Sequence, residues 1–294
     1  MLSHLRLGQH KGLKSCIMKH LGRINIICGK NNSGKSTLLE IINEPKLRTP
    51  GVVFTEEDIK HMCLVGDANV NWHGYHPDSE RFRRILEKAL ANKDIWFAND
   101  LDEFRSRFDT VFNNDGLQWQ TNVGSLLVAF DNQFARMKAL PSVLLPPKRQ
   151  LQLKSAVKTS EEVEPDGTGV LNYLLYAKNQ NESSTDYRVL RKIRTAFTKI
   201  SSGYNFDIFL GKNNDIQLSF AYKDRSWVKG EDCGLGLQDL LVVLYFSIHG
   251  QYQVVLIEEP ESHLHPDLQR RLLYFLREET NKQFFISAHS NVFS

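Results

Sequence analysis

Apolar positions along the chain fall into two patterns, and together they predict an alternation of short strands and amphipathic helices. Near the N-terminus, residues 2–7 and 23–28 read as two antiparallel strands joined by a Lys-rich, hairpin-like stretch. Ile24, Ile26, Ile27 and Cys28 predict a short buried strand, and Leu38, Leu39, Ile41 and Ile42 then form one helical face that ends near Pro45. Residues 45–77 are turn-rich. From residue 78 the pattern is helical again, with Phe82, Ile85, Leu86, Ala89 and Leu90 on one face and Asp78 or Ser79 as cap. With further helices predicted over 100–112 and 125–139, residues 45–140 read as a largely helical insertion. An apolar strand at 142–145 stops at Pro146 and Pro147, with Lys148 and Arg149 following. After a polar loop at 158–169, helices are predicted over 169–179 and 185–200, the core of a second helical insertion or arm spanning 152–203. Strands over 204–210 and 215–222 form a hairpin around 211–214. The last third predicts a helix at 240–248, a strand from Val254, a helix beyond Pro266 and a strand at 284–288. The fold class is α/β, with a mostly parallel central sheet, antiparallel strands at the N-terminus and helical insertions.

Chemistry enters where the first buried strand ends. Gly29, Lys30, Asn31, Asn32, Ser33, Gly34, Lys35 and Ser36 fit the phosphate-loop pattern G-x-x-x-x-G-K-[ST] at every fixed position, and Thr37 continues into the helix. Strand, glycine loop, helix is the setting that gives the motif meaning. Backbone N–H groups turn inward around a β/γ-phosphate, and the helix N-terminus adds a favourable dipole. Lys35 is expected to reach the β- and γ-phosphates and the Ser36 hydroxyl to ligate Mg²⁺. All four fixed positions would match by accident in about one chain of this size in a hundred.

A second apolar run, Val254 to Ile257, ends in Glu258 and Glu259. A buried parallel strand that ends in acids delivers carboxylates to the sheet edge where ligands sit. Glu258, directly after the strand, suits the metal; Glu259 suits the attacking water. The strand at 284–288 is followed by His289, placed at the same edge to meet the γ-phosphate or the water. Residues 232–239 make a small-residue turn before an apolar helix: an ordinary glycine cap, or a second anion cradle that serves a nucleotide held by another subunit. His263 and His265 lack a third ligand at metal-site spacing.

Composition changes the picture little. In 294 residues, 41% hydrophobic and 24% charged content is ordinary for a globular chain. No run approaches the ~18 apolar residues of a membrane span, and there is no signal-peptide core. Cys16, Cys28, Cys63 and Cys233 are scattered and read as reduced cytoplasmic thiols. Net charge is +3, with nine Lys/Arg against Glu40 and Glu44 in residues 1–50, a weak pointer to DNA. The 185–200 helix carries Arg188, Arg191, Lys192, Arg194 and Lys199 beside an apolar stripe. A core helix with a solvated basic face is the favoured reading; a DNA-facing surface is the other.

In their order, GKNNSGKST, GLGLQDLL, VVLIEEPESHLHP and FFISAHS resemble the ABC-type ATPase heads of the RecF/SMC-like group, and most of all the OLD (overcoming lysogenization defect) family and its relatives in bacterial anti-phage systems. The likeness frames the chain from end to end, while residues 45–230 match in outline only. It implies an ABC-type P-loop head with Walker A at 29–36, including Gly29, Asn31, Asn32, Ser33, Gly34, Lys35 and Ser36. It implies Glu258 on Mg²⁺, Glu259 as catalytic base, a signature loop with Gly234, Gly236 and Gln238, and a switch histidine at His289. ATP is then sandwiched between two heads, each offering its signature loop to the other. Glu258 stands where ABC proteins usually have aspartate, Gly234 where many signature loops have serine, and Gln150 and Gln152 are weak candidates for a Q-loop glutamine.

In OLD nucleases a Toprim nuclease domain follows soon after the switch histidine, whereas this sequence stops at Ser294 and contains no acidic Toprim-like motif. Two expectations follow: part of a fused nuclease, or an ATPase that acts through a separate effector. The expected function is a cytoplasmic, Mg²⁺-dependent ATPase that closes as a homodimer and controls a nuclease or toxin in anti-phage defence. The alternative is a RecF/SMC-like DNA-binding ATPase of repair or chromosome maintenance. A third reading is a scaffold that binds ATP without hydrolysing it.

Overall fold

The computed structural model describes residues 1–30, 32–52, 96–97, 135–158, 162–223 and 225–289. The chain divides into two compact units, one of Met1, Gly22–Asn43 and Pro141–Ser294, the other of Leu2–Leu21 and Glu44–Leu140.

The larger unit is built on a four-stranded parallel sheet of β3 (Ile24–Cys28), β6 (Ser142–Leu145), β10 (Val254–Glu258) and β11 (Gln283–Ala288), in the order β3-β11-β10-β6. Strands β10 and β11 are central and buried at every position, which explains the apolar runs Val254–Ile257 and Phe284–Ile286 within them. Among the described residues strand β3 pairs on one side only and is half exposed, with Ile26 and Cys28 facing outward, so the short buried strand expected there is corrected to an edge strand. The register sets Glu258 beside Ser287, Ser287 beside Ile27 and Ala288 beside Cys28. Every strand of this sheet therefore hands its following residues to one edge: Gly29, Pro146, Glu259 and His289.

Five helices are described in this unit: α1 (Lys35–Asn43), α2 (Val170–Lys178), α3 (Thr185–Ile200), α4 (Leu235–Ile248) and α5 (Pro266–Glu278). Helix α4 is buried all round from Gln238 to Ser247, and each apolar side chain removed from water there contributes about 1.5–3 kcal/mol. Helix α3 is amphipathic. Ser184 caps it by accepting from the Tyr187 N–H at 3.1 Å, and Leu190, Ile193, Ala196, Phe197 and Ile200 face inward. Phe197 packs on Phe206 and Phe220 of an antiparallel sheet made by β7 (Tyr204–Leu210), β8 (Ile216–Tyr222) and β9 (Val228–Lys229). Helices α2 and α3 thus belong to the main hydrophobic core, where an arm over 152–203 was expected. The basic face of α3 is partly compensated: Arg194 bonds the Asp207 carboxylate, which also takes Lys178 of α2, and Lys199 bonds Glu279. This favours the solvated-face reading.

Lys282 is half-buried and donates to the Phe246 carbonyl at 2.7 Å and to that of His249, closing the C-terminus of α4. Burial pushes its ammonium down to about 8 from an ordinary 10.5. Between those values the unfolded chain holds more protons than the folded one, so stability rises with pH. Because two carbonyls favour the charged form, the effect is on the order of 1–2 kcal/mol, less than burial alone implies. Thermal melts between pH 8 and 10 should climb in wild type, and the climb should flatten in Lys282→Met.

The smaller unit holds an antiparallel sheet, β2-β1-β4-β5, of β1 (Leu5–Leu7), β2 (Cys16–Met18), β4 (Arg48–Val52) and β5 (Trp96–Phe97). Strand β1 pairs with β2 and β4, so the expected pairing of 2–7 with 23–28 is corrected: the turn at 8–15 closes the hairpin before β3 begins. Arg48 is fully buried and donates to the carbonyls of Lys138 and Leu140. The start of the expected helical insertion is therefore strand. The helices expected at 78–90 and 100–112, and most of 125–139, lie outside the described residues, with a helical turn described at 135–138.

Candidate active site

The phosphate loop leaves the end of β3 and turns into α1. Gly34 sits at φ +87°, a left-handed backbone open to glycine at little cost, and the Leu38 N–H already bonds the Gly34 carbonyl at 2.9 Å. Asn32, Ser33 and Ser36 are exposed along this turn, with Thr37 half-buried behind them, while Asn31 lies outside the described residues. Lys35 folds back into the loop. Its ammonium donates to the carbonyls of Gly29 at 2.9 Å and Lys30 at 3.0 Å and lies 3.5 Å from His289 Nδ1.

His289 in turn places Nε2 3.0 Å from Glu259 Oε1. The tautomer with its proton on Nε2 satisfies both ring contacts, accepting from Lys35 and donating to Glu259. The His289 backbone N–H donates to the Glu261 carboxylate. Lys35, His289 and Glu259 come from three parts of the chain and form one continuous polar line across the C-terminal edge of the sheet.

Glu259 adopts φ 42°, ψ 57°, a left-handed conformation that costs a non-glycine residue about 1–2 kcal/mol. The surrounding bonds hold it there. Its N–H donates to the Ser287 carbonyl at 3.0 Å, and its own carbonyl accepts from the Ser262 N–H at 3.2 Å. Glu258 ends β10 with 8% of its surface exposed, and its Oε1 is buried without a hydrogen-bond partner. An orphaned carboxylate oxygen beside a phosphate loop fits a cation ligand, and the hydroxyl of Ser36 lies at the N-terminus of α1 as the motif requires.

Arg149, the residue most easily overlooked in the sequence, lies under this turn with its side chain fully buried. One guanidinium nitrogen donates to the carbonyls of Pro146 at 2.6 Å and Glu258 at 2.8 Å; the other reaches the Glu259 carbonyl at 3.5 Å. It stands 3.6 Å from Asp239 Oδ2 on α4, and that same oxygen lies 2.7 Å from His263 Nδ1. Burial pushes the guanidinium down from its ordinary range and Asp239 pulls it back up. His265 accepts from the Asp267 N–H as cap of α5, so both histidines of the 263–265 stretch have structural partners. Gln150 is exposed, and Gln152 bonds the Thr168 hydroxyl.

The expected signature loop is the first turn of α4, which begins at Leu235, five residues earlier than its sequence suggests. Gly234 caps it, and a Cβ there would meet nothing within 4 Å. Gly236 is different: its Cβ would lie 2.4 Å from the His263 carbonyl oxygen. Gln238 is buried and donates to the Gly230 carbonyl at 3.0 Å, so its amide points into the fold. Gly236→Ala should therefore lower the melting temperature by several degrees, since backbone must move, while Gly234→Ser, a favoured cap with open space, should leave it unchanged. Differential scanning fluorimetry of the two variants checks this contrast.

A parallel sheet with a phosphate loop after one strand, paired acids after another and a histidine after the strand between them defines a P-loop ATPase head of the ABC type. The family described as "AAA domain, putative AbiEii toxin, Type IV TA system" matches residues 54–294, and the chain belongs to it. Its relatives include an OLD nuclease and an ATP/GTP phosphatase. The chain is 32% identical over 108 residues to the OLD nuclease of Thermus scotoductus, a match covering 34% of this chain and 20% of the nuclease. It is 23% identical over 353 residues to an ATP/GTP phosphatase of Helicobacter pylori, covering 100% of this chain and 86% of the phosphatase. The uncharacterized protein MJ1542 of Methanocaldococcus jannaschii is 29% identical over 134 residues, covering 44% of this chain. The chain thus spans 20% and 16% of the lengths of the OLD nuclease and MJ1542. Among solved structures, an Smc head bound to the C-winged helix domain of ScpA is 13% identical with a TM-score of 0.47, covering 99% of this chain and 90% of that one. Among the described residues, no helix is long and apolar enough to cross a membrane.

Proposed function

We propose that this chain is a Mg²⁺-dependent ATPase whose ATP-bound form closes head to head with a second copy and thereby controls a nuclease or toxin effector, in defence against phage DNA. The observation that carries the reading is the polar line from Lys35 through His289 to Glu259 at the sheet edge. On ATP binding, Lys35 exchanges the Gly29 and Lys30 carbonyls for phosphate oxygens, and the loop's backbone N–H groups close around them. Glu258 and Ser36 hold Mg²⁺, which supplies charge neutralisation on the phosphates when bound. The water oxygen attacks the γ-phosphorus, its proton passes to Glu259, and ADP leaves; His289 orients the Glu259 carboxylate throughout.

Closure is supported by the face around the signature turn. Gly234 opens to solvent and Leu235, the next residue, is exposed, as are Trp227 and Val228 in the segment that leads into this turn; exposed large apolar side chains of this kind suit burial against a second copy. The effector link draws on the family description, which names a toxin, and on the OLD nuclease relative. The test is mass by light scattering on Glu259→Gln, with and without ATP and Mg²⁺: the reading requires a doubling on addition of nucleotide. A RecF-like DNA switch remains the second reading because Arg191 and Lys192 are exposed on α3, and ATP-dependent duplex binding by the purified chain would favour it.

A further inference from the structure

Arg149 is a cation whose side chain is fully buried, and it touches the backbone of both acids of the catalytic turn. Its planar fork donates to Pro146 after β6, to Glu258 and, at the longer 3.5 Å, to Glu259. Its charge is balanced by Asp239 at 3.6 Å, in the second turn of α4, and Asp239 is also bonded by His263, five residues past Glu258. Three segments far apart in sequence therefore share one buried group. Such support matters for Glu259, since its left-handed backbone is costly for any non-glycine residue and persists where surrounding bonds hold it.

We propose that Arg149, balanced by Asp239, is a positioning residue: it holds the backbone of the Glu258–Glu259 turn so that the Glu259 carboxylate meets the attacking water, and it ties that turn to α4, the helix capped by Gly234. This deepens the reading of Glu259 as catalytic base and rests on it. The pairing itself is imperfect. Arg149 Nε and Asp239 Oδ1 are both buried without hydrogen-bond partners, and a 3.6 Å charge contact is longer than a good hydrogen bond. Buried ionic groups so poorly satisfied add little stability over an apolar pair. Their geometric hold on the turn is what the arrangement does supply. A planar fork that spans several carbonyls is also a task lysine, a point charge, performs poorly.

The experiment separates positioning from stability. Arg149→Met, Asp239→Asn, the double variant and Arg149→Lys are compared for melting temperature, affinity for a fluorescent ATP analogue and kcat, with Glu259→Gln alongside. Each single neutral variant strands one buried charge and should melt earlier, while the double variant should regain part of that loss. Positioning requires that kcat stay down by about 10²-fold in both Arg149→Met and the double variant, with nucleotide affinity within about threefold of wild type. Arg149→Lys keeps the buried charge and folds, and should still lose about tenfold in kcat. A double variant or Arg149→Lys that turned over ATP within about threefold of wild type, while Glu259→Gln was inactive, would overturn the role of Arg149 and leave the base assignment standing. If Glu259→Gln were itself fully active, the base assignment fails and the positioning role falls with it.

Discussion

Replacing Glu259 by glutamine should lower ATP turnover by about 10²–10⁴-fold while leaving ATP affinity within a few-fold of wild type. The amide keeps the size and the hydrogen-bonding oxygen of the carboxylate, so the 3.0 Å contact with His289 and the left-handed turn both survive. What it loses is the ability to accept a proton from water. Phosphate binding rests on Lys35 and the loop backbone, neither of which the substitution touches. A variant that binds without turning over is trapped in its ATP state, so the same protein should accumulate as the closed pair. Two measurements read these effects independently: multiple-turnover phosphate release for the chemistry, and light scattering for closure. Phosphate release at the wild-type rate would remove Glu259 from the role of base and move attention to Glu261, whose carboxylate holds the His289 N–H.

What the sequence made legible, and what it did not, divides along a physical line. Elements with a strong local period were readable: helix α3 was predicted at 185–200 and spans Thr185–Ile200, and β6 falls at its predicted residues. The groups after β3, β10 and β11 were legible because parallel strands deliver their following residues to one edge, and the register places them there together. Strand partners were not legible, since alternation says that a segment is extended without saying what it pairs with. Hence the pattern pairs residues 2–7 with 23–28 where the fold pairs β1 with β2 and β4, and β4 looks like a turn because Pro50 and Gly51 are breakers by propensity. Gly236 misled in the same way. It reads as part of a small-residue turn before the helix, but it lies inside the first turn of α4, where the His263 carbonyl leaves no room for a side chain. The Arg149–Asp239–His263 group was hidden for another reason. Its members are widely separated in sequence, charged residues are presumed exposed, and a single sequence holds no information on which buried charges meet.

Lys35→Ala should abolish nucleotide binding at concentrations that saturate Glu259→Gln, and the contrast between the two variants locates the step each residue serves. The ammonium already bonds two loop carbonyls and lies beside His289, with only 8% of the residue exposed. Two charge-assisted bonds to phosphate, each worth about 1.5–3 kcal/mol, put the loss of affinity at about 10²–10⁴-fold. Removing the side chain also frees the Gly29 and Lys30 carbonyls, which then face the phosphates with partial negative charge. The loop itself should persist, because the Ser33 N–H to Lys30 carbonyl bond and the first turn of α1 do not depend on Lys35. A melting temperature near wild type, together with absent binding of a fluorescent ATP analogue, would assign the loss to phosphate recognition. Binding at wild-type affinity would mean that the 29–36 loop is not the phosphate site, and the line from Lys35 to Glu259 would then need a different ligand to explain it. Because binding precedes chemistry, combining Lys35→Ala with Glu259→Gln should reproduce the Lys35→Ala behaviour: no nucleotide held, and no closed pair at any ATP concentration that saturates Glu259→Gln alone.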